Sequence, residues 1–356
     1  MLIIDGGYGE AGGQIVRTAT ALSVLFKKPI KIINIRKGRN PPGLKAQHMT
    51  ALKFLAQISG AKTKGIEIGS LEVEFHPYYI EGGKYNIDIG TAGSITLLLQ
   101  AVILPLLFAN RVTELYIRGG TDVAWSPSAD YFRFVILPYL RRFVYDLRFE
   151  VQRRGFYPKG GGLVYVRIKP RFKRDNYDSV EEFLNDLRKN VPRYNLTEKK
   201  PLKEIYVYSF ASDVLEKRKV AERQIEAARE ILEKEYNVKI AEITMYDRTL
   251  SPGSVITIVG LRENGVVLGS DARGEKGKPA EEVGKEAAEK FIKEEKDGVI
   301  DNHLADNLIP YLGLVGGALQ TSEFTGHLVT NIWTCEHFFG KIYEKDEEKR
   351  IVRTTF

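Results

Sequence analysis

A glycine-rich turn opening an apolar helix, then a strand and a basic turn, recurs along this chain. That recurrence limits the fold more than any other feature. Residues 6–39 carry the first copy: Gly6-Gly7-Tyr8-Gly9 leads into an apolar helix ending near Phe26, and the strand Pro29-Ile30-Lys31-Ile32-Ile33-Asn34-Ile35 follows. Residues 89–122 repeat it, with Gly90-Thr91-Ala92-Gly93-Ser94, a helix over 95–108, the strand Glu114-Leu115-Tyr116-Ile117, and Arg118-Gly119-Gly120-Thr121-Asp122. A third copy is expected from Asn302-His303-Leu304-Ala305-Asp306 through a helical 308–315. After each copy comes a second helix and then strands: 46–58 before 65–75, 129–144 before 147–168, and 328–339 before 342–356. One such unit cannot bury its apolar face alone, so three are expected to close on one another. The expected class is α+β: three repeated α/β units, each a small sheet with paired helices, related by a pseudo-threefold, plus one inserted smaller α/β domain.

The insert is where the pattern breaks. From about Asp178 the chain turns strongly charged, then reads as a strand (204–209), a charged helix (220–236) and two strands (238–245 and 254–261). This divides the chain into a large catalytic domain, 1–178 and 277–356, and an insert, 179–276. The charge runs of the insert read as solvated faces, with a grip on nucleic acid as the alternative. A net charge of +7 suits a polyanionic partner. The longest apolar run, 95–109, is too short for a bilayer and contains Pro105, so no membrane partner is expected. The chain begins on strand-like Leu2-Ile3-Ile4 rather than a leader, and its single cysteine, Cys335, fits a reducing compartment; a cytoplasmic protein is expected.

Two glycine clusters and two histidines carry the candidate chemistry. Gly7, Gly9 and Gly12 satisfy the G-x-G-x-x-G dinucleotide fingerprint after a strand, but the second strand ends on Arg36 where a ribose would want an acid, and no run of crossovers follows. Other groups near this turn suit phosphate: Glu10 for a divalent ion, and Arg17, Arg36 and Arg39 for bidentate pairing. Pro41-Pro42-Gly43-Leu44 would aim Gln47 back at the arginines. No Walker A sequence is present. His327 follows Gly326 at the start of a helix, where unpaired N–H groups and the dipole favour phosphate and a neutral imidazole is a competent nucleophile. His303, with Asp306 three residues on, competes for that role; His48, His76 and His337 read as structural or surface, without zinc spacing.

The second glycine cluster, Arg154-Gly155-Phe156-Tyr157-Pro158-Lys159-Gly160-Gly161-Gly162-Leu163, resembles the R-G-x-x-P-x-G-G-G-x-[LIV] signature of the RNA 3'-terminal phosphate cyclases, ATP-dependent and of the archaeal type. The opener, Arg36-x-x-Arg39-x-x-x-Gly43-Leu44-x-x-Gln47-His48, Gly119-Gly120-Thr121-Asp122, His303-Leu304-Ala305-Asp306 and His327-Leu328-x-Thr330-Asn331 are similar to that family in the same order.

The resemblance implies three repeated units with one insert. It also implies an ATP-dependent reaction in which a histidine takes AMP, passes it to an RNA 3'-phosphate, and the neighbouring 2'-hydroxyl closes a 2',3'-cyclic phosphate as AMP leaves. Carried over by motif, His327 is the nucleophile and Glu10 the ligand of a divalent ion, Mg or Mn. Arg17, Arg36, Arg39 and Gln47 form the phosphate site. Gln100 with His303, Leu304, Ala305, Asp306 and Asn307 belongs to the ATP pocket, and His303 departs from the family where relatives carry Tyr. The implied partners are RNA with a 3'-phosphate end and ATP, with room for a homo-oligomer. Two other classes share parts of this pattern: a non-catalytic relative serving ribosomal RNA processing, and an enolpyruvyl transferase of similar repeated architecture.

Overall fold

The structure, a computed structural model, describes residues 1–10 and 12–356. It is a mixed α+β protein whose strands form four four-stranded sheets among the described residues. In the first, strands β1 (Leu2–Asp5), β2 (Ile30–Ile33), β3 (Lys62–Lys64) and β4 (Val73–His76) lie in the order β1-β2-β4-β3. The β1–β2 pair is parallel and the others antiparallel. The second sheet, β5 (Lys84–Asp88), β6 (Thr113–Gly119), β7 (Val144–Arg153) and β8 (Gly162–Pro170), runs β5-β6-β8-β7 with its parallel pair again first. In the third, β9 (Tyr194–Leu196) pairs parallel with β14 (Gly317–Gln320), which pairs antiparallel with β16 (Ile351–Thr354), flanked by β15 (Tyr343–Asp346). The fourth holds β10 (Leu202–Ser212), β11 (Lys239–Asp247), β12 (Ser254–Arg262) and β13 (Val267–Arg273) in the order β11-β10-β12-β13.

Helices fill the space between the first three sheets; among the shorter ones, α4 (Ala129–Tyr131) and α5 (Leu137–Leu140) precede β7 and α6 (Val180–Asn190) precedes β9. Helix α1 (Gly13–Phe26) packs against α2 (Ala46–Ser59), α3 (Ile95–Leu106) and α10 (Gly326–Phe339), and α10 lies on α9 (Asn302–Val315). Gly12 before α1 supplies no side-chain cap, whereas Ile15, Ala19, Leu22 and Leu25 are fully buried. A cap is worth about 1 kcal/mol and each buried Leu or Ile about 1.5–3 kcal/mol, so the core decides where α1 lies. The helix stops at Lys27, left-handed at φ 52°, whose N–H returns to Val24 O. Helix α3 starts on Ser94, which accepts from the Leu97 N–H at 3.1 Å, and Pro105 falls in its last turn. No helix among the described residues is long and apolar enough to cross a membrane.

A second, separate core joins β10, β12 and β13 to α7 (Val220–Glu235) and α8 (Ala280–Asp297) through Ile205, Val207, Ile225, Ile258, Leu268, Val283 and Phe291. Helix α8 buries Val283, Ala287, Ala288 and Phe291 in this smaller core, because its apolar stripe matches the fourth sheet. Strand β9 pairs with β14 of the third sheet. Arg262, fully buried, ties the two crossings of the chain together: its guanidinium donates to Lys200 O (2.9 Å), Gly298 O (3.1 Å) and Val299 O (3.2 Å) and meets Glu295 Oε1 at 2.8 Å.

Candidate active site

His327 stands in the first turn of α10, where Thr325 caps the helix by accepting from the Leu328 N–H at 3.1 Å. Half of its side chain is exposed. Nδ1 lies 3.1 Å from Glu10 Oε2 and 3.2 Å from Gln14 Oε1. Both neighbours are acceptors, so Nδ1 carries a proton, and in the neutral ring Nε2 is the nitrogen that keeps its lone pair. The amide of Gln14 is oriented from behind, since its Nε2 donates to Asp306 Oδ1 at 2.5 Å. Asp306 is in turn bracketed by Asn331, whose Nδ2 donates to the Asp306 backbone carbonyl at 2.8 Å and whose Oδ1 accepts from Thr18 Oγ1 at 2.8 Å. Burial pushes the Asp306 carboxyl up to about 6, with His327, Arg17 and the two amides acting against it.

The opener reaches α10 by backbone proximity. Tyr8 stacks on Trp333 with ring centroids 4.0 Å apart. Gly9, left-handed at φ 57°, passes so close that a Cβ there would sit 2.4 Å from Thr330 Oγ1. Gly326 leaves space for the carboxylate: its Cβ would lie 2.4 Å from Glu10 Oε1. Gly326→Ala is therefore expected to displace Glu10, a flexible and half-exposed side chain, while leaving the fold intact. Where a reaction depends on a group's position, misplacing it by about an ångström costs up to about 10²-fold. Loading of the protein with labelled nucleotide should slow accordingly at an unchanged melting temperature; an unaltered rate would show that Glu10 does not matter to His327.

The arginines divide by environment. Arg17 forms no ion pair within 4 Å among the described residues and lines a narrow cleft with Gln14, Gln100, Asp306, Asn307 and Asn331. Desolvation pulls its guanidinium down to about 10, Asp306 offsetting part of that, so it remains charged at neutral pH. At 40 Å³ this cleft admits a few water-sized groups, so a nucleotide reaching Gln100 would have to part its walls. Arg39 lies over the opener, donating to Glu10 O from Nε (3.2 Å) and Nη2 (2.9 Å). Arg36 is buried and donates through Nη1 to Pro41 O and Gly43 O, both at 3.1 Å, so it holds the turn rather than facing the cleft. Gln47 Oε1 accepts from the Ser94 N–H at 3.4 Å, joining α2 to the second glycine turn. His48 is structural: Nδ1 accepts from the Lys45 N–H, and burial, then Arg17 and Arg36, pull its pKa down to about 3.

On α9, the side chains of Leu304 and Ala305 are fully buried in the main core. Periodicity explains this: they share the helix face of Leu308, not that of Asp306. Asn307 donates from Nδ2 to His303 O at 2.7 Å and lines the cleft. His303 is an exposed residue of α9. Desolvation and Lys290, whose Nζ is 3.3 Å from Nε2, pull its pKa down to about 4 and keep it neutral. Gln14 and Asn331 went unassigned in the sequence. Their signal was helical spacing, three residues before Arg17 and four after His327.

The R-G-F-Y-P-K-G-G-G segment plays a different part. Arg154 is buried between two carboxylates, with Nη1 3.1 Å from Asp122 Oδ2 and Nη2 2.5 Å from Asp130 Oδ2. A Cβ on Gly120 would meet Ala92 O at 2.4 Å, and one on Gly162 would meet Thr121 Cγ2 at 2.7 Å. These glycines thus let the turns at 90–94, 119–122 and 155–162 press together beside Gln47.

The sequence profile that describes the RNA 3'-terminal phosphate cyclase family matches residues 8–344. Relatives named "RNA 3'-terminal phosphate cyclase" include one from Pyrococcus furiosus, 43% identical over 99% of both chains. Another, from Methanosarcina mazei, is 46% identical over 97% of this chain and 98% of its own. A third, from Archaeoglobus fulgidus, is 39% identical over 99% of this chain and 100% of its own. With the profile spanning nearly all of the sequence and the opener, α9 and α10 motifs gathered at one histidine, this chain belongs to the RNA 3'-terminal phosphate cyclase family.

Proposed function

We propose that this chain uses ATP to convert an RNA 3'-phosphate to a 2',3'-cyclic phosphate, with His327 carrying AMP in between. The observation that supports this most is the pair of acceptors at Nδ1, which leaves Nε2 as a free nucleophile at a helix N-terminus. Nε2 attacks the α-phosphorus of ATP, forming a P–N bond as the bond to pyrophosphate breaks. An oxygen of the RNA 3'-phosphate then displaces the imidazole, giving an anhydride and restoring His327. The adjacent 2'-hydroxyl attacks the 3'-phosphorus, AMP leaves, and the hydroxyl proton passes to solvent. A phosphate monoester is a poor electrophile; the anhydride supplies a leaving group, and an intramolecular attack contributes up to about 7–11 kcal/mol.

Arg17, charged and without an ion pair among the described residues, would face phosphate, and Arg39 would hold the opener that presents Glu10. No cluster of three acids, histidines or cysteines able to cage a metal occurs among the described residues. A single carboxylate on a glycine turn fits a Mg or Mn ion carried chiefly by the nucleotide phosphates, with Glu10 as its protein ligand. Such an ion would supply charge neutralisation at the phosphates. The site is built within one chain, so the reaction as proposed needs no second copy. On the same reading the first three sheets are repeated units, and the insert is drawn at residues 202–297.

A 2'-deoxy 3'-phosphate end tests the order of steps. With ATP present it should accumulate as an adenylylated strand, while the matching ribose end closes and releases AMP. If the ribose end cyclised and the deoxy end never took up AMP, activation before ring closure would be wrong.

A further inference from the structure

Trp125 is 95% exposed, and its φ of 65° lies in the left-handed region, where a bulky residue is strained. Neither burial nor backbone preference accounts for an indole at this place. The loop that displays it is nonetheless firmly anchored. At its base the Ala129 N–H donates to Asp122 Oδ1 at 3.0 Å, and within it Ser126 Oγ donates to Val123 O at 2.9 Å.

The far end of the loop is tied to both sides of the site. Toward Gln47, Pro127 O accepts from Thr96 Oγ1 at 2.8 Å. Thr96 Oγ1 is 2.9 Å from Ser94 Oγ, and the Ser94 N–H reaches Gln47 Oε1. Toward His303, the Ser128 N–H donates to Asp271 Oδ2 at 2.7 Å. Asp271 lies 3.8 Å from Lys290 Nζ, which adjoins His303 Nε2. Trp125 is therefore carried on a loop whose Pro127–Ser128 end, two residues further on, is tied toward Gln47 on one side and toward His303 on the other.

We propose that Trp125 is a stacking platform for a base of the single-stranded RNA, upstream of the 3'-phosphate. The inference rests on the cyclase reading of the same site and adds the surface that receives the strand. An isolated indole flanked by Ala124 and Ser126 presents a π face, and every base can stack on one without regard to sequence. A protein partner would call for a contiguous apolar patch, which this loop, with Val123 buried, does not supply. The Lys290 ammonium beside His303 and the +7 net charge favour a polyanion along this rim.

The test compares Trp125→Ala and Trp125→Phe with the wild type on a 3'-phosphate oligoribonucleotide. Loss of one base–aromatic stack should raise KM for the oligonucleotide about tenfold in the Ala variant, with most of the affinity restored by Phe. The only other tryptophan, Trp333, is stacked on Tyr8, so quenching by the oligonucleotide should vanish in Trp125→Phe. A KM within twofold of wild type, in a chain that cyclises the end, would overturn the proposal and leave the cyclase reading standing. Quenching by ATP alone, with slower self-adenylylation in Trp125→Ala, would place the indole against adenine and overturn it too. Were the wild type to cyclise no RNA end, the cyclase reading would fall, and quenching by the oligonucleotide would still decide the role of Trp125.

Discussion

Replacing His327 by Asn or Ala is expected to cut transfer of label from α-labelled ATP to the protein by at least about 10³-fold, the scale on which removal of a covalent nucleophile acts. The fold should survive the change. The ring is half-exposed, and the cap of α10 comes from Thr325 rather than from His327. The wild-type adduct should be labile in acid and stable in alkali, as a phosphoramidate is. His303→Ala is the necessary companion: its ring is neutral and adjoins Lys290, so its loss should weaken labelling without ending it. Full labelling of the His327 variants, or none in His303→Ala, would transfer the nucleophile's role away from α10.

Arg154→Met is expected to destabilise the protein by about 3–5 kcal/mol, read as a lowered urea midpoint. The guanidinium is buried between Asp122 and Asp130 and lies 4.9 Å from the ring of Phe210 on the fourth sheet. Removing it leaves two buried carboxylates beside each other without their counter-ion. Asp122 cannot turn outward, because it also accepts from the Ala129 N–H and from Thr121 Oγ1. A loss under about 1 kcal/mol would mean that solvent reaches the pair, in the manner of a surface salt bridge. The signature segment would then serve something other than the joint between glycine turns.

Much of the secondary structure was legible because apolar periodicity survives burial. The helices expected at 46–58 and 220–236 are α2 (Ala46–Ser59) and α7 (Val220–Glu235). The elements that escaped notice were short or locally ambiguous. Strand β9 has three residues, too few to alternate, and becomes a strand only by pairing with β14. Strand β13, Val-Leu-Gly-Ser-Asp-Ala-Arg, lacks a hydrophobic run and is buried because α8 covers it. The helix Val180–Asn190 hides two buried residues, Phe183 and Leu187, in a charged sequence. Glycine spacing marked where chains approach closely but could not name the neighbour: Gly9 against Thr330 and Gly326 against Glu10 join segments more than 300 residues apart.

Residue order alone carried the α+β class and the family, and it singled out His327 and Glu10 as candidates, because side-chain chemistry and local turn signals need no partner to be read. The folded chain alone decided which nitrogen of His327 is free, that Arg36 faces a turn while Arg17 faces the cleft, and that Leu304 and Ala305 belong to the core. Those are questions of direction in space, and a side chain's direction depends on what packs against it.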